Sequence, residues 1–305
     1  MTEIIKINQL TKRYGTTEVL KGINLTIHQG EVFGFVGHNG AGKSTFIHTI
    51  TGIIHKSSGI FKIKDAPDDQ IDKSKKVMGV MPDVSNLYEH MRGIHFLRYM
   101  GKLSGDRRSK RDYTILMKEV GLEGAEKKKI KTYSFGMKKK ICIAQALLGN
   151  PDLIILDEPT SGLDPESAIK IRNLVMRQQK LGKTILLTSH NLDEIDKVSD
   201  RVGILSDGVI KKLGTPRQLK EETGVGISIS VRTKPTLRKD DIQMLSKKLD
   251  MDVTFVESKK EYTLLQVASD EDISLLSKEL IESGVQLYEL KVEERSLEDV
   301  FMNTK

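Results

Sequence analysis

The chain has 305 residues, 38% of them hydrophobic and 30% charged, with a formal net charge of +7 and a pI near 9.2. That length suits one large domain plus a smaller one. A single cysteine, Cys142, excludes an internal disulfide framework and a multi-cysteine metal site. No stretch reaches the ~18 apolar residues of a membrane-spanning helix. The opening MTEIIKINQL lacks the basic and apolar regions of a signal peptide, so a cytoplasmic chain is expected. Lysine runs at Lys127–Lys129 and Lys138–Lys140 are not interleaved with aromatics, so they predict a solvated surface and no nucleic-acid partner.

Residues 3–31 predict short β segments. The stretch EVFGFVGHNGAGKSTFIHTITG then reads as a strand, Val32–Val36, a glycine-rich turn, and a helix ended by Gly52. Within it Gly37, Gly42, Lys43 and Ser44 fit GxxxxGK[ST]. Glycines let backbone N–H groups curl around phosphate oxygens, and the helix amino terminus adds partial positive charge. Lys43 supplies a full charge at the β- and γ-phosphates, and the Ser44 hydroxyl suits Mg2+. The candidate loop is Gly37, His38, Asn39, Gly40, Ala41, Gly42, Lys43, Ser44 and Thr45; the His38 side chain has no assigned role.

Further strands are predicted at Gly59–Lys64 and Met78–Met81, and residues 85–150 are predicted mostly helical. In TYSFGMKKKICIAQALLGNP, Ser134 suits a helix N-cap. The following helix buries Ile141, Ile143, Ala144, Leu147 and Leu148, with Cys142 in the core. The Ser134 hydroxyl, the Gly136 N–H and that helix terminus form a second anion site. One nucleotide does not need two such termini from one chain, unless the second serves another copy.

LIILDEPTSGLDP follows: a buried strand, Leu153–Leu156, running into Asp157 and Glu158. Adjacent carboxylates at a strand end repel and resist leaving water, so a division of tasks is expected. Asp157 would hold Mg2+ through water, and Glu158 would orient or deprotonate the water attacking the γ-phosphate. Two more core strands, Thr184–Leu187 and Arg201–Leu205, complete a mostly parallel sheet flanked by helices. A hairpin at Asp207–Gly208 closes the first domain. Beyond it, residues 223–305 read β-α-β-β-α-β: a small α+β, ferredoxin-like domain with helices over 239–249 and 270–283.

Residues 3–220 resemble the nucleotide-binding subunit of ABC transporters, and the motifs are specific. GHNGAGKST matches Walker A and LIILDE matches Walker B. YSFGM stands where LSGGQ belongs, keeping Ser134 and Gly136 while Phe135 and Met137 depart. SGLD, ending in Asp164, matches the D-loop, and His190 in LLTSHNLDEID matches the switch histidine. Tyr14 sits where the family stacks adenine. The resemblance implies a P-loop ATPase cassette, residues 1–222, with a β subdomain and a helical signature subdomain. It implies ATP and Mg2+, head-to-tail pairing with a second cassette, and a membrane-spanning permease partner that would hold this chain peripherally on the inner face of the cell membrane. Glu158 and His190 would be catalytic. Asp164 would lie between paired sites. Asp83 replaces the usual glutamine: its carboxylate would reach Mg2+ or its water shell, or else cap a turn. The final SLEDVFMNT resembles the end of accessory domains in drug, peptide, lipid and sodium exporters.

Two other functions compete. A soluble ABC protein of translation or DNA repair would usually carry two cassettes or a long coiled-coil insertion, neither of which is present. A small-molecule kinase would leave the signature and D-loop unexplained.

Overall fold

The amino-terminal residues build a long two-stranded ribbon, β1 (Glu3–Tyr14) and β2 (Thr17–His28). Only short segments are predicted there, because several register shifts, including one between Ile7 and Leu10, break the inside-outside alternation. The computed structural model describes residues 2–221, 226–293 and 296–302. After the ribbon come β3 (Val32–Val36), α1 (Lys43–Ile50), β4 (Ser58–Ile63), β5 (Ala66–Pro67), α2 (Ile71–Lys75) and β6 (Met78–Val80). A helical stretch follows: α3 (Gly93–Leu103), α4 (Lys110–Glu119) and α5 (Phe135–Ala146). The chain continues through β7 (Leu153–Leu156), α6 (Pro165–Lys180), β8 (Thr184–Ser189), α7 (Leu192–Val198), β9 (Arg201–Ser206), β10 (Val209–Gly214) and α8 (Pro216–Glu221).

Two sheets carry this part. One is antiparallel, ordered β2-β1-β4-β5. The other is ordered β10-β9-β3-β8-β7-β6 and is parallel except for the β9–β10 hairpin. Every residue of β3 and β7 is buried, as their unbroken apolar runs require of strands covered on both faces. Phe35 and Phe46 meet with ring centroids 4.7 Å apart, locking α1 onto β3 in a core shared with Ile5, Leu20 and Ile63. Cys142 is fully buried, and burial pushes its thiol up to about 12. Among the described residues, no helix is long and apolar enough to cross a membrane.

Residue contacts divide the chain into two units, one up to Leu219 and one from Lys220. The expected boundary between residues 222 and 223 lies outside the described residues, as does the end of SLEDVFMNT. The second unit comprises β11 (Ile227–Lys234), α9 (Lys239–Leu249), β12 (Thr254–Lys259), β13 (Tyr262–Val267), α10 (Asp270–Glu282), β14 (Gln286–Glu293) and α11 (Leu297–Met302). Its antiparallel sheet runs β12-β13-β11-β14, the strand order of a split β-α-β pair. Ile229, Val231, Leu265 and Val267 on one face pack with Ile242, Leu276 and Leu280 of the two long helices. Helix α10 starts on a Ser269–Asp272 capping box.

Candidate active site

Three parallel strands end in step. Val36 pairs with Ser189 across β3 and β8, and Leu156 pairs with Leu187 across β7 and β8. The residues just beyond them, Gly37, Asp157, Glu158 and His190, therefore emerge along one edge of the sheet. Gly37 admits no side chain: a Cβ there would lie 2.5 Å from the Leu205 carbonyl oxygen. The loop enters α1 through Gly42 at φ 109°, and no side chain caps the helix. Its first amides are left for an external acceptor.

Lys43 is only 7% exposed. Its Nζ donates to the Gly37 carbonyl at 2.5 Å and to that of His38 at 3.3 Å, and lies 4.0 Å from Glu158 Oε1. Burial lowers its pKa, while the charges of Glu158 and Asp157 pull the other way. A buried ammonium held by carbonyls at the mouth of an uncapped helix suits a polyanion.

The two neighbouring acids part company. Asp157 Oδ2 accepts from Ser44 Oγ at 3.0 Å, and Oδ1 accepts from Thr188 Oγ1. Glu158 has φ 50°, left-handed and strained for a residue with a Cβ. Its N–H donates to Thr188 Oγ1 at 3.0 Å, and its Oε2 lies 2.6 Å from His190 Nδ1. The backbone reversal thus sends one carboxylate to the phosphate-loop serine and the other to the histidine. The oxygens of Ser44 and Asp157 are the donor chemistry of a hard cation. Among the described residues no group of three His, Cys, Asp or Glu could hold a metal alone. Such a pair fits Mg2+, which commonly completes its shell with substrate phosphates and water.

Asn39, Gly40, Gly42, Lys43, Ser44, Thr45, Glu158 and His190 line one cavity of about 400 Å³. Val19 and Ser161 line it too, and neither was expected; nor was Thr188, the hydroxyl that serves both acids. Strand order alone could have flagged Thr188, since β8 lies between β3 and β7. His38 turns its Nδ1 to the Asn39 carbonyl at 2.8 Å, and Ala41 is buried.

Other expected residues lie outside this cavity's lining. Tyr14 is 49% exposed, with Lys12 Nζ 4.7 Å from its ring centre. Ser134 caps α5, its Oγ accepting from Met137 N at 3.3 Å, and Gly136 lies in the first turn of that helix. Asp164 caps α6, accepting from Ser167 N at 2.9 Å and Ser167 Oγ at 2.6 Å. Those bonds hold its carboxyl below the usual range. Asp83 caps its own turn, Oδ1 accepting from Ser85 N at 2.7 Å.

Residues 20–161 match the family model described as ABC transporter. The linearmycin resistance ATP-binding protein LnrL of Bacillus subtilis is 31% identical over 315 residues, covering 98% of this chain and 97% of that protein. The bacitracin transport ATP-binding protein BcrA of Bacillus licheniformis is 30% identical, covering 99% of this chain and 97% of that one. Among solved structures, an ATP-binding subunit of an ABC transporter aligns with a TM-score of 0.67 at 28% identity, over 72% of this chain and 93% of the other. The dimeric bacterial ABC transporter cassette MJ0796 aligns with a TM-score of 0.63 at 26% identity, over 69% of this chain and 98% of the other. With this fold, this site and this full-length similarity, the chain belongs to the ABC transporter family, as an ATP-binding subunit that hydrolyses ATP to drive transport.

Proposed function

We propose that the chain binds MgATP on its 37–45 loop, hydrolyses it with Glu158 as general base, and works in pairs on a separate membrane-spanning permease to export a substrate. The observation that carries this is the parting of Asp157 and Glu158 beside the buried Lys43. Lys43 and the first amides of α1 hold the β- and γ-phosphates. Ser44 and Asp157 hold Mg2+, which supplies charge neutralisation at the phosphates. Glu158 takes the proton of the attacking water, and His190 fixes the carboxylate's other oxygen. The half-exposed Tyr14 ring offers a face for adenine.

The cap of α5, with Ser134 and Gly136, completes the site of a second copy, and Asp164 lies near that contact. The cassette solved as a dimer supports pairing. The names of LnrL and BcrA, resistance and transport, support export. With its permease the chain sits at the inner face of the cytoplasmic membrane, as a homodimer, and the unit from Lys220 regulates or stabilises the paired state.

Mixing tests the pairing. A Lys43→Ala chain and a Ser134→Ala chain are each expected to be inactive alone. Mixed, some heterodimers regain one complete site, and ATP turnover partly recovers. Mixed dimers that form without recovery would sink the shared-site assignment.

A further inference from the structure

Helix α5 touches the Glu158 loop through three successive loop residues. Lys139 Nζ donates to the Ser161 carbonyl at 2.6 Å. The Phe135 ring lies on Gly162, which has φ 73°; a Cβ on that glycine would sit 3.0 Å from Phe135 Cε1. Leu163 packs on Gly136. Phe135 and Lys139 are four residues apart, so they share a helix face, and the ammonium lies 5.7 Å from the ring centre. The far side of the loop is tied as well, by a hydrogen bond from Thr160 Oγ1 to Glu194. Ser161 closes the turn, its N–H donating to the Glu158 carbonyl at 3.3 Å, and it lines the same cavity as Glu158 and His190.

Lys139 is 6% exposed. A methionine would fill the same space without desolvating a charge. Burial lowers the Lys139 pKa, and attraction to Glu158, Asp157 and Glu194 opposes that. The cation therefore belongs to the electrostatics of the two acids, though it arises from another helix and is absent from the cavity wall. Phe135 is one of the residues by which this chain departs from the family signature, and it is 55% exposed. A large ring held at a helix terminus needs a reason other than core packing.

We propose that Lys139 and Phe135 are positioning residues for hydrolysis: together they clamp the 158–164 loop to the start of α5 and so hold Glu158 in place for the attacking water. The clamp rests on the assignment of Glu158 as the base. It also gives α5 a mechanical connection to the site of its own chain.

The test uses the full-length chain and MgATP. Lys139→Met should lower kcat about 10-fold or more, with KM and nucleotide affinity held within about twofold. Lys139→Arg keeps a cation and a donor, and should stay within about threefold of the parent kcat. Phe135→Gly removes only a half-exposed ring and buries nothing. It should lower kcat about threefold with the chain still folded and the thermal midpoint lowered only slightly, since glycine in a helix is modestly unfavourable, which keeps the proposal testable should Lys139→Met fail to fold. Combining Lys139→Met with Glu158→Gln should be no slower than Glu158→Gln alone. Parent-like kcat in Lys139→Met or Phe135→Gly would overturn the clamp. So would a loss of affinity parallel to the loss of kcat, which marks a merely structural role. If Glu158→Gln itself keeps turning over, the assignment of the base fails instead.

Discussion

The two units of the chain bury different things. The unit up to Leu219 buries cations, Lys43 and Lys139, and bends an acid, Glu158, into the left-handed region. The unit from Lys220 has an aliphatic core built on Ile229, Val231, Leu265 and Leu276; most of its ion pairs are exposed, as in Lys259–Glu257 and Lys291–Glu293, and its buried acid, Glu279, is neutralised by Lys248 at 2.5 Å. Its own left-handed residues, Asp250 and Lys260, only close a helix and a hairpin. The whole positive excess of the chain lies in the first unit; the second carries more acids than bases. Desolvated charge and strained backbone are unfavourable, so their concentration in one unit marks where chemistry is done. Three changes, in descending order of expected effect, bear on that contrast.

Glu158→Gln should be the most damaging. The shape and the polar contact toward His190 survive, but the proton acceptor is lost. Turnover should fall by roughly 10²–10⁴-fold while MgATP still binds, since Lys43, Ser44 and Asp157 are untouched. Steady-state hydrolysis beside a nucleotide titration checks both halves. Near-parental turnover would remove the strained acid from the chemistry and with it the contrast between units.

In the second unit the largest effect should be on folding alone. Leu276 is fully buried between helix and sheet. Leu276→Ala should destabilise that unit by about 2–5 kcal/mol, read as a lowered unfolding transition, with nucleotide affinity unchanged. If affinity collapsed while the first unit remained folded, the division of labour between the units would be wrong.

The sequence exposed much of this because burial on both faces forces unbroken apolar runs. Val32–Val36 and Leu153–Leu156 are such runs, and the acids after the second are conspicuous for ending one. The glycine loop was legible for the same reason: a backbone that must approach Leu205 leaves no room for a Cβ. What stayed hidden depends on neighbours across the sheet or on torsion. Thr188 looks like one more β-branched strand residue until β8 is seen to lie between the two strands it serves. Lys139 sits in a lysine run that predicts a solvated face; the flanking Lys138 and Lys140 are partly exposed, and only the middle one turns inward. The φ of Glu158 leaves no trace in composition. Asp164 had a conspicuous motif that obscured its plain local task of capping α6.

Asp83 should give the smallest effect. Its side chain is exposed and bonded to its own turn. Hydrogen bonds from Ser85 hold its carboxyl below the ordinary value of 3.8, with burial opposing weakly. A carboxylate whose pKa falls on folding stabilises the fold above the unfolded value, and that contribution is lost as pH drops through the folded one. Asp83→Gln is too long to repeat the turn, so it should cost about 0.5–1 kcal/mol near neutral pH. The difference from the parent should hold steady down to about pH 5 and shrink below pH 4 or so. Nucleotide affinity should not move, because the Lys43 cavity does not include this side chain. The same variant carries the residue the family usually has here, so stimulation of turnover by the permease is the sensitive readout. A changed stimulation at constant affinity would give Asp83 a part in coupling. Identical stimulation, with only the acid-dependent stability difference remaining, would make it a turn cap and nothing more.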